Sequence, residues 1–148
     1  MTKRIKFSEQ ITINASAEQI FDYTQDYSQR VKWDTFLKRA ELMGGATEAE
    51  KGVVAYCVAK NGLGMETEYV SFKRPTTAAI KMTKGPYMFK EFLGSWNFKE
   101  LDNRCTEVTF LYSFLLRFPF NLLSGLIKTN LHRNVKQRLV DLKRNIEG

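Results

Sequence analysis

The sequence predicts an α+β domain in which a curved antiparallel sheet of seven strands wraps around one long C-terminal helix. Three observations carry this expectation. From Pro119 to Ile146, the residues Phe120, Leu123, Ile127, Leu131, Val135, Leu139, Leu142 and Ile146 recur at steps of three and four, which draws one apolar stripe along a helix about 42 Å long. Almost everything before that helix alternates apolar and polar residues at period two, with turn residues between the runs. Asn61-Gly62 stands between two such runs as a hairpin signal. A stripe needs a partner, and a sheet curled against it encloses space.

The first strand comes from Ile5, Phe7, Ile11 and Ile13 on one face, with Lys6, Ser8, Gln10 and Thr12 on the other, and runs to about Asn14. Ser16-Ala17-Glu18-Gln19 then reads as a capping box, in which the Ser hydroxyl and the Gln side chain each satisfy an orphan amide. A short helix follows through Phe21 to about Thr24. Asp26 to Trp33 reads as a second short helix, capped by Asp26 and anchored by Trp33.

Phe36 to Met43 alternates, with Phe36, Ala40 and Leu42 on one face, and Gly44-Gly45 ends it. Gly52 to Lys60 and Leu63 to Lys73 flank Asn61-Gly62, where a two-residue turn requires positive φ at both positions. Arg74-Pro75-Thr76 separates the next pair, since proline donates no ladder hydrogen bond. Ala78, Ile80 and Met82 share a face of the following strand. Met88, Phe92, Gly94, Trp96 and Phe98 share a face of the sixth, Asp102-Asn103 turns the chain, and Val108, Phe110, Tyr112 and Phe114 share a face of the seventh.

The totals narrow the function classes. A chain of 148 residues with 43% hydrophobic and 26% charged residues is expected to form one globular domain over 1–148. Aromatics make up 13% of it, and large rings both fill cores and line apolar pockets. The net charge of +7 favours anionic surroundings such as phospholipid headgroups. Its Lys and Arg residues are spread along the chain without a dense run or a zinc-finger or RNA-recognition signature, which argues against nucleic acid. Cys57 and Cys105 lie far apart and match no metal spacing. Reduced thiols, and an N-terminus without a signal-like apolar run, lead to the expectation of a cytoplasmic protein. The greasy stretch from Phe110 to Ile127 is broken by Arg117, Pro119 and Asn121, and reads as a strand entering a helix rather than a membrane span. No metal or nucleotide fingerprint is present, and no cofactor is expected.

The order of elements, with Ile13-Asn14-Ala15-Ser16-Ala17-Glu18-Gln19-Ile20-Phe21-Asp22, Trp33, Arg74-Pro75, Gly94-Ser95-Trp96 and Thr106-Glu107-Val108-Thr109, resembles the SRPBCC superfamily of START lipid-transfer domains, the birch-pollen allergen and bacterial polyketide cyclases/dehydratases. The resemblance covers nearly the whole chain and rests on structural features, so it speaks to fold more than to activity. It implies a helix-grip fold, with an apolar cavity between sheet and helix for a lipid, sterol, quinone or polyketide. The chain departs from the allergen branch, whose glycine-rich loop is only weakly matched by Gly44-Gly45-Ala46-Thr47-Glu48.

The expected function is binding or transport of a hydrophobic small molecule. The ligand-facing candidates are Trp33, Ile80, Met82, Phe92, Trp96, Phe110, Tyr112, Phe114, Leu123, Ile127 and Leu131, grouped by strand and helix parity. The alternative is a polyketide cyclase/dehydratase in which Tyr112 polarises a carbonyl. No catalytic residue is assigned. His132, the single histidine, sits on the flank of the helix stripe beside Lys128 and Lys136 and reads as a surface residue. Glu66 and Glu68 share a strand face about 7 Å apart, a spacing known from glycosidic chemistry and equally from solvated outer faces. A further alternative is a lipid or quinone carrier that docks on anionic membranes. Phe118, Leu122 and Leu126 point away from the main stripe, and Lys128, Arg133, Lys136, Arg138, Lys143 and Arg144 make the later helix basic. Gly125 would permit a bend near a portal. The oligomeric state is left open.

Overall fold

The computed structural model describes residues 3–102 and 104–148. Strand β1 (Ile5–Ile13) leads into helices α1 (Ala17–Gln25) and α2 (Arg30–Trp33). Strands β2 (Leu37–Leu42), β3 (Val54–Ala59), β4 (Gly64–Lys73), β5 (Thr77–Lys84), β6 (Phe89–Asp102) and β7 (Cys105–Leu116) follow. A single 3-10 turn (Phe120–Leu123) then opens helix α3 (Ser124–Glu147). The seven strands form one sheet in the order β1-β7-β6-β5-β4-β3-β2, antiparallel throughout. The strand of the N-terminus thus pairs with the last strand, Ile5 opposite Phe114 and Ile13 opposite Thr106. Among the described residues no helix is long and apolar enough to cross a membrane.

Parity places the core as the sequence dictates. Phe7 and Ile13 of β1, Phe92, Trp96 and Phe98 of β6, and Val108, Phe110, Tyr112 and Phe114 of β7 are all buried on the concave face. Rings meet there edge to face, Trp96 with Phe110 at 4.2 Å and Phe92 with Tyr112 at 4.6 Å between centroids. Val135, Leu139 and Leu142 of α3 close over this surface.

Local chemistry departs from the expected pattern at several places. The Asn61-Gly62 hairpin is a three-residue loop. Gly62 N donates to Ala59 O (2.9 Å), Ala59 N donates to Leu63 O (2.9 Å), and only Gly62 takes positive φ, at 94°. That is the turn-plus-left-handed-glycine form. Asn61 contributes through its side chain, which accepts from Leu63 N at 3.0 Å. Asp26 does not cap α2. Its carboxylate accepts from Ser28 N and Oγ (3.0 and 2.6 Å), a local Asx turn, and α2 starts only at Arg30. Ser16 forms its half of the capping box, accepting from Gln19 N at 3.2 Å, while Ala17 N donates to Glu100 across the fold at 3.2 Å. The turn expected at Asp102-Asn103 falls partly on Asn103, which lies outside the described residues.

Bulges shift the parity of inner faces in β2, β4 and β6; in β4 the slip between Tyr69 and Ser71 lets both Tyr69 and Phe72 pack inward. Between Leu37 and Arg39 the register of β2 slips, so both Phe36 and Leu37 reach the cavity. Between Phe89 and Glu91 the register of β6 slips likewise, and Phe89 turns inward.

Candidate functional site

Between the concave sheet face and α3 lies a cavity of about 520 Å³. Its body is apolar. Ile80, Phe89, Phe92, Trp96 and Phe110 line it from the sheet, and Ile127 and Leu131 line it from α3. Leu63 and Leu126, both largely solvent-exposed, stand at its rim.

Seven of the expected residues therefore line the cavity: Ile80, Phe92, Trp96, Phe110, Tyr112, Ile127 and Leu131. Four do not. Trp33 is fully buried behind the wall, where its ring packs against Trp96 at 6.0 Å and carries the Arg30 guanidinium at 5.2 Å. Phe114 is also fully buried, in the ring cluster with Phe89 and Phe92. Met82, near the far end of β5, is partly buried against the core beside the lining. Leu123 is 51% exposed, because the helix opens with a 3-10 turn that rotates it off the stripe.

One end of the cavity is polar and buried. Asp34, just after α2, is fully buried and accepts from two arginines. Arg138 of α3 donates from Nε to Oδ1 (3.0 Å) and from Nη2 to Oδ2 (2.8 Å), and Arg30 of α2 donates from Nε to Oδ2 (3.0 Å). Arg138 also donates from Nη1 to the Tyr112 hydroxyl at 2.6 Å, and its guanidinium lies 5.1 Å from the ring centres of both Phe36 and Phe110. Arg30, Arg138 and Tyr112 all border the cavity.

The electrostatics follow from this packing. Burial alone would raise the Asp34 carboxyl, but the Arg138 and Arg30 guanidiniums outweigh it and hold that carboxyl below its usual range. Burial alone would lower both arginines, and Asp34 overcomes it, so both stay charged.

A second chain of hydrogen bonds runs along the wall. The Tyr69 hydroxyl donates to Gln25 Oε1 (2.6 Å) and therefore accepts from Tyr27 (2.8 Å). Gln25 Nε2 donates to Thr24 Oγ1 (3.0 Å), which donates to Phe21 O (3.0 Å). Burial raises the Tyr27 phenol and pushes that of Tyr69 well above the ordinary value. It also pushes up the Cys57 thiol, another lining residue.

The remaining polar candidates sit elsewhere. His132 contacts Glu9 at 2.8 Å and packs on Phe7, away from the lining residues. Glu66 and Glu68 stand opposite Lys84 and Lys81 in the β4–β5 ladder, while Met65, Thr67 and Tyr69 between and beside them face the cavity. Among the described residues no three His, Cys, Asp or Glu gather as a metal site, and those lining the cavity include no carboxylate, imidazole or amine.

Sequence reasoning missed Arg30 and Asp34, and it counted Arg138 in the basic outer face of the helix, whereas the structure buries Arg138 against Asp34 because it falls on the inward side of α3 beside Val135 and Leu142. A signal existed for each: Arg30 and Asp34 stand one helical turn apart around Trp33, and Arg138 interrupts the apolar stripe between Val135 and Leu142.

The fold is shared with known structures. The chain superposes on the di-domain ARO/CYC protein BexL with a TM-score of 0.78 at 19% identity, covering 98% of this chain and 50% of that one. It superposes on the Zhui aromatase/cyclase from Streptomyces with a TM-score of 0.75 at 14% identity, covering 97% and 96%. A START superfamily protein from Mycobacterium smegmatis gives 0.69 at 14% identity, covering 93% and 98%. These likenesses establish the α+β helix-grip fold. Comparison with curated protein sequences finds no match. A family model described as polyketide cyclase / dehydrase and lipid transport matches residues 4–147. The chain belongs to the polyketide cyclase/dehydrase and lipid transport family.

Proposed function

We propose that the protein binds a hydrophobic small molecule that carries oxygen at one end. The observation that supports this most directly is the split character of the cavity. Phe92, Trp96, Phe110, Ile127 and Leu131 offer an apolar body, and Tyr112 with Arg138 offers hydrogen-bond donors at one end. Tyr112 accepts from Arg138, which leaves its own O–H to donate to a ligand oxygen. Such a division, an apolar pocket with a few placed polar groups, is the usual make-up of a small-molecule site.

The test is to purify the protein gently and identify by mass spectrometry what denaturation releases, then to titrate the emptied protein with Nile red. One apolar molecule per chain, or Nile red uptake that Trp96→Ala weakens about tenfold, is the expected result. No released molecule and no dye uptake would mean that the space is closed, and would remove this reading.

A catalytic reading is favoured by the same Tyr112–Arg138 pair and by family membership. A phenol held by a guanidinium can donate to a carbonyl oxygen and stabilise the negative charge that grows there. On this reading Tyr112→Phe keeps ligand affinity within about threefold and lowers cyclisation of a polyketide-like substrate by about 10²–10³-fold, the usual effect of losing one such donor. Equal turnover by the variant would exclude it.

The exposed rim favours one further step, ligand exchange at an anionic membrane surface. Leu126 at the cavity rim, and Phe118 and Leu122 just before it in the chain, are about 70% exposed, and α3 carries exposed Lys128, Arg133 and Lys136 along its length.

A further inference from the structure

The charges at the polar end of the cavity do not cancel. Arg30 and Arg138 are each about 95% buried, and both oxygens of Asp34 are already committed to them. One carboxylate therefore serves two guanidiniums. The tyrosines and the thiol that line the cavity beside the two arginines supply no negative charge, since burial keeps Tyr27, Tyr69 and the Cys57 thiol protonated at neutral pH. Asp141, a buried carboxylate one turn along α3 from Arg138, bonds neither guanidinium: it accepts from the Thr35 hydroxyl and from Gln137 Nε2 (3.0 Å), and it does not line the cavity. No carboxylate lines the cavity among the described residues.

A buried charge without a counter-charge is costly, and proteins avoid it. Here the surplus charge borders the cavity, where a bound molecule can reach it. Donors are also left over. A guanidinium carries five N–H groups, and the hydrogen bonds of Arg30 among the described residues run from Nε to Asp34 and, at a long 3.4 Å, from Nη1 to Thr24 O.

We propose that the cavity is built for a monoanionic amphiphile. A carboxylate or equivalent anionic oxygen head would complete the Arg30–Asp34–Arg138 cluster, and its apolar tail would lie among Phe92, Trp96, Ile127 and Leu131. This rests on the binding reading above and narrows it to a charge class. The head supplies the missing negative charge, so the occupied site is neutral. A neutral ligand of the same shape leaves the surplus in place, and a cationic one doubles it.

The experiment compares three probes with the same ten-carbon tail, decanoate, methyl decanoate and decylammonium, by intrinsic tryptophan fluorescence and calorimetry at pH 7. Decanoate is expected to bind at least tenfold tighter than the ester, with decylammonium weaker still. Because the site is buried, the preference should persist at 0.5 M salt. In Arg30→Gln, where Arg138 and Asp34 remain as a neutral pair, the preference for decanoate should fall to within about twofold. The three-probe ranking on the unaltered protein stands even if that variant fails to fold. Equal binding of decanoate and its ester would overturn the anionic assignment and leave the cavity reading intact. Failure of all three probes and of Nile red would overturn both.

Discussion

Asp34 is the side chain on which the polar end of the cavity turns, since it orients two arginines that arrive from different helices. Removing its charge leaves two guanidiniums facing each other without an anion. Asp34→Asn is therefore expected to destabilise the fold by about 3–5 kcal/mol, read as a lowered urea midpoint with unchanged m-value. Arg138→Gln, which leaves Arg30 paired with Asp34, should cost less, and a reversed order would show that the cluster is not organised around the carboxylate. The pH dependence has a fixed sign. The Asp34 carboxyl titrates below its ordinary value of 3.8 in the folded state, so its contribution is fully present above that value. It is lost as pH falls from there through the lowered folded pKa. Little of this cluster was legible beforehand. Strand parity identified Phe92, Trp96, Phe110 and Tyr112 as inward because apolar alternation reports burial directly. Charged side chains carry the opposite prior, and Asp34 meets Arg138 only across 104 residues of chain, a distance that no local pattern spans.

At the level of elements, α3 does two jobs with different stretches of one helix. Val135, Leu139 and Leu142 are buried and hold it to the sheet, whereas its first turn and the 3-10 turn before it face water at Leu126 and at Leu122 and Leu123. Thr129 Oγ1 bonds back to Gly125 O at 2.8 Å in this first part, and a Cβ at Gly125 would meet nothing within 4 Å. The element predicts co-sedimentation with vesicles containing anionic phospholipid. Phe118→Ser with Leu122→Ser should reduce it at least tenfold, and so should neutralising Lys128, Arg133 and Lys136 together. Binding unaffected by either change, or equal binding to purely zwitterionic vesicles, would exclude the rim as a lipid contact. The stripe along this helix was readable from spacing alone, except at Leu123. There a 3-10 turn with three residues per turn replaces the 3.6 period, and the same arithmetic points the side chain outward. The strands were readable in number, order and facing. Their ends and the inner-face bulges were not, because a bulge is an extra residue absorbed by tertiary pairing and leaves the period-two pattern on each side intact.

For the molecule as a whole, a ligand that occupies the cavity touches β3, β4, β5, β6, β7 and α3 at once, so its binding energy is shared by the entire fold. At a ligand concentration 100 times Kd the gain is about 2.7 kcal/mol. For a domain of this size that corresponds to a rise in Tm of roughly 5–11 °C, measurable by scanning calorimetry; a saturating ligand that leaves Tm unchanged would be bound elsewhere. The pairing of β1 with β7 has a consequence in time. Synthesis proceeds from the N-terminus at about 5–20 residues per second, so Ile5 emerges roughly 5–20 s before its partner Phe114. Through that interval β1 has no partner strand to pair with, and Arg30 and Asp34 wait about as long for Arg138. The nascent chain thus holds β1 unpaired until β7 has been made. Nascent-chain chaperones therefore have a defined segment, Ile5–Ile13, to protect, and the cavity has no complete wall until α3 has been made.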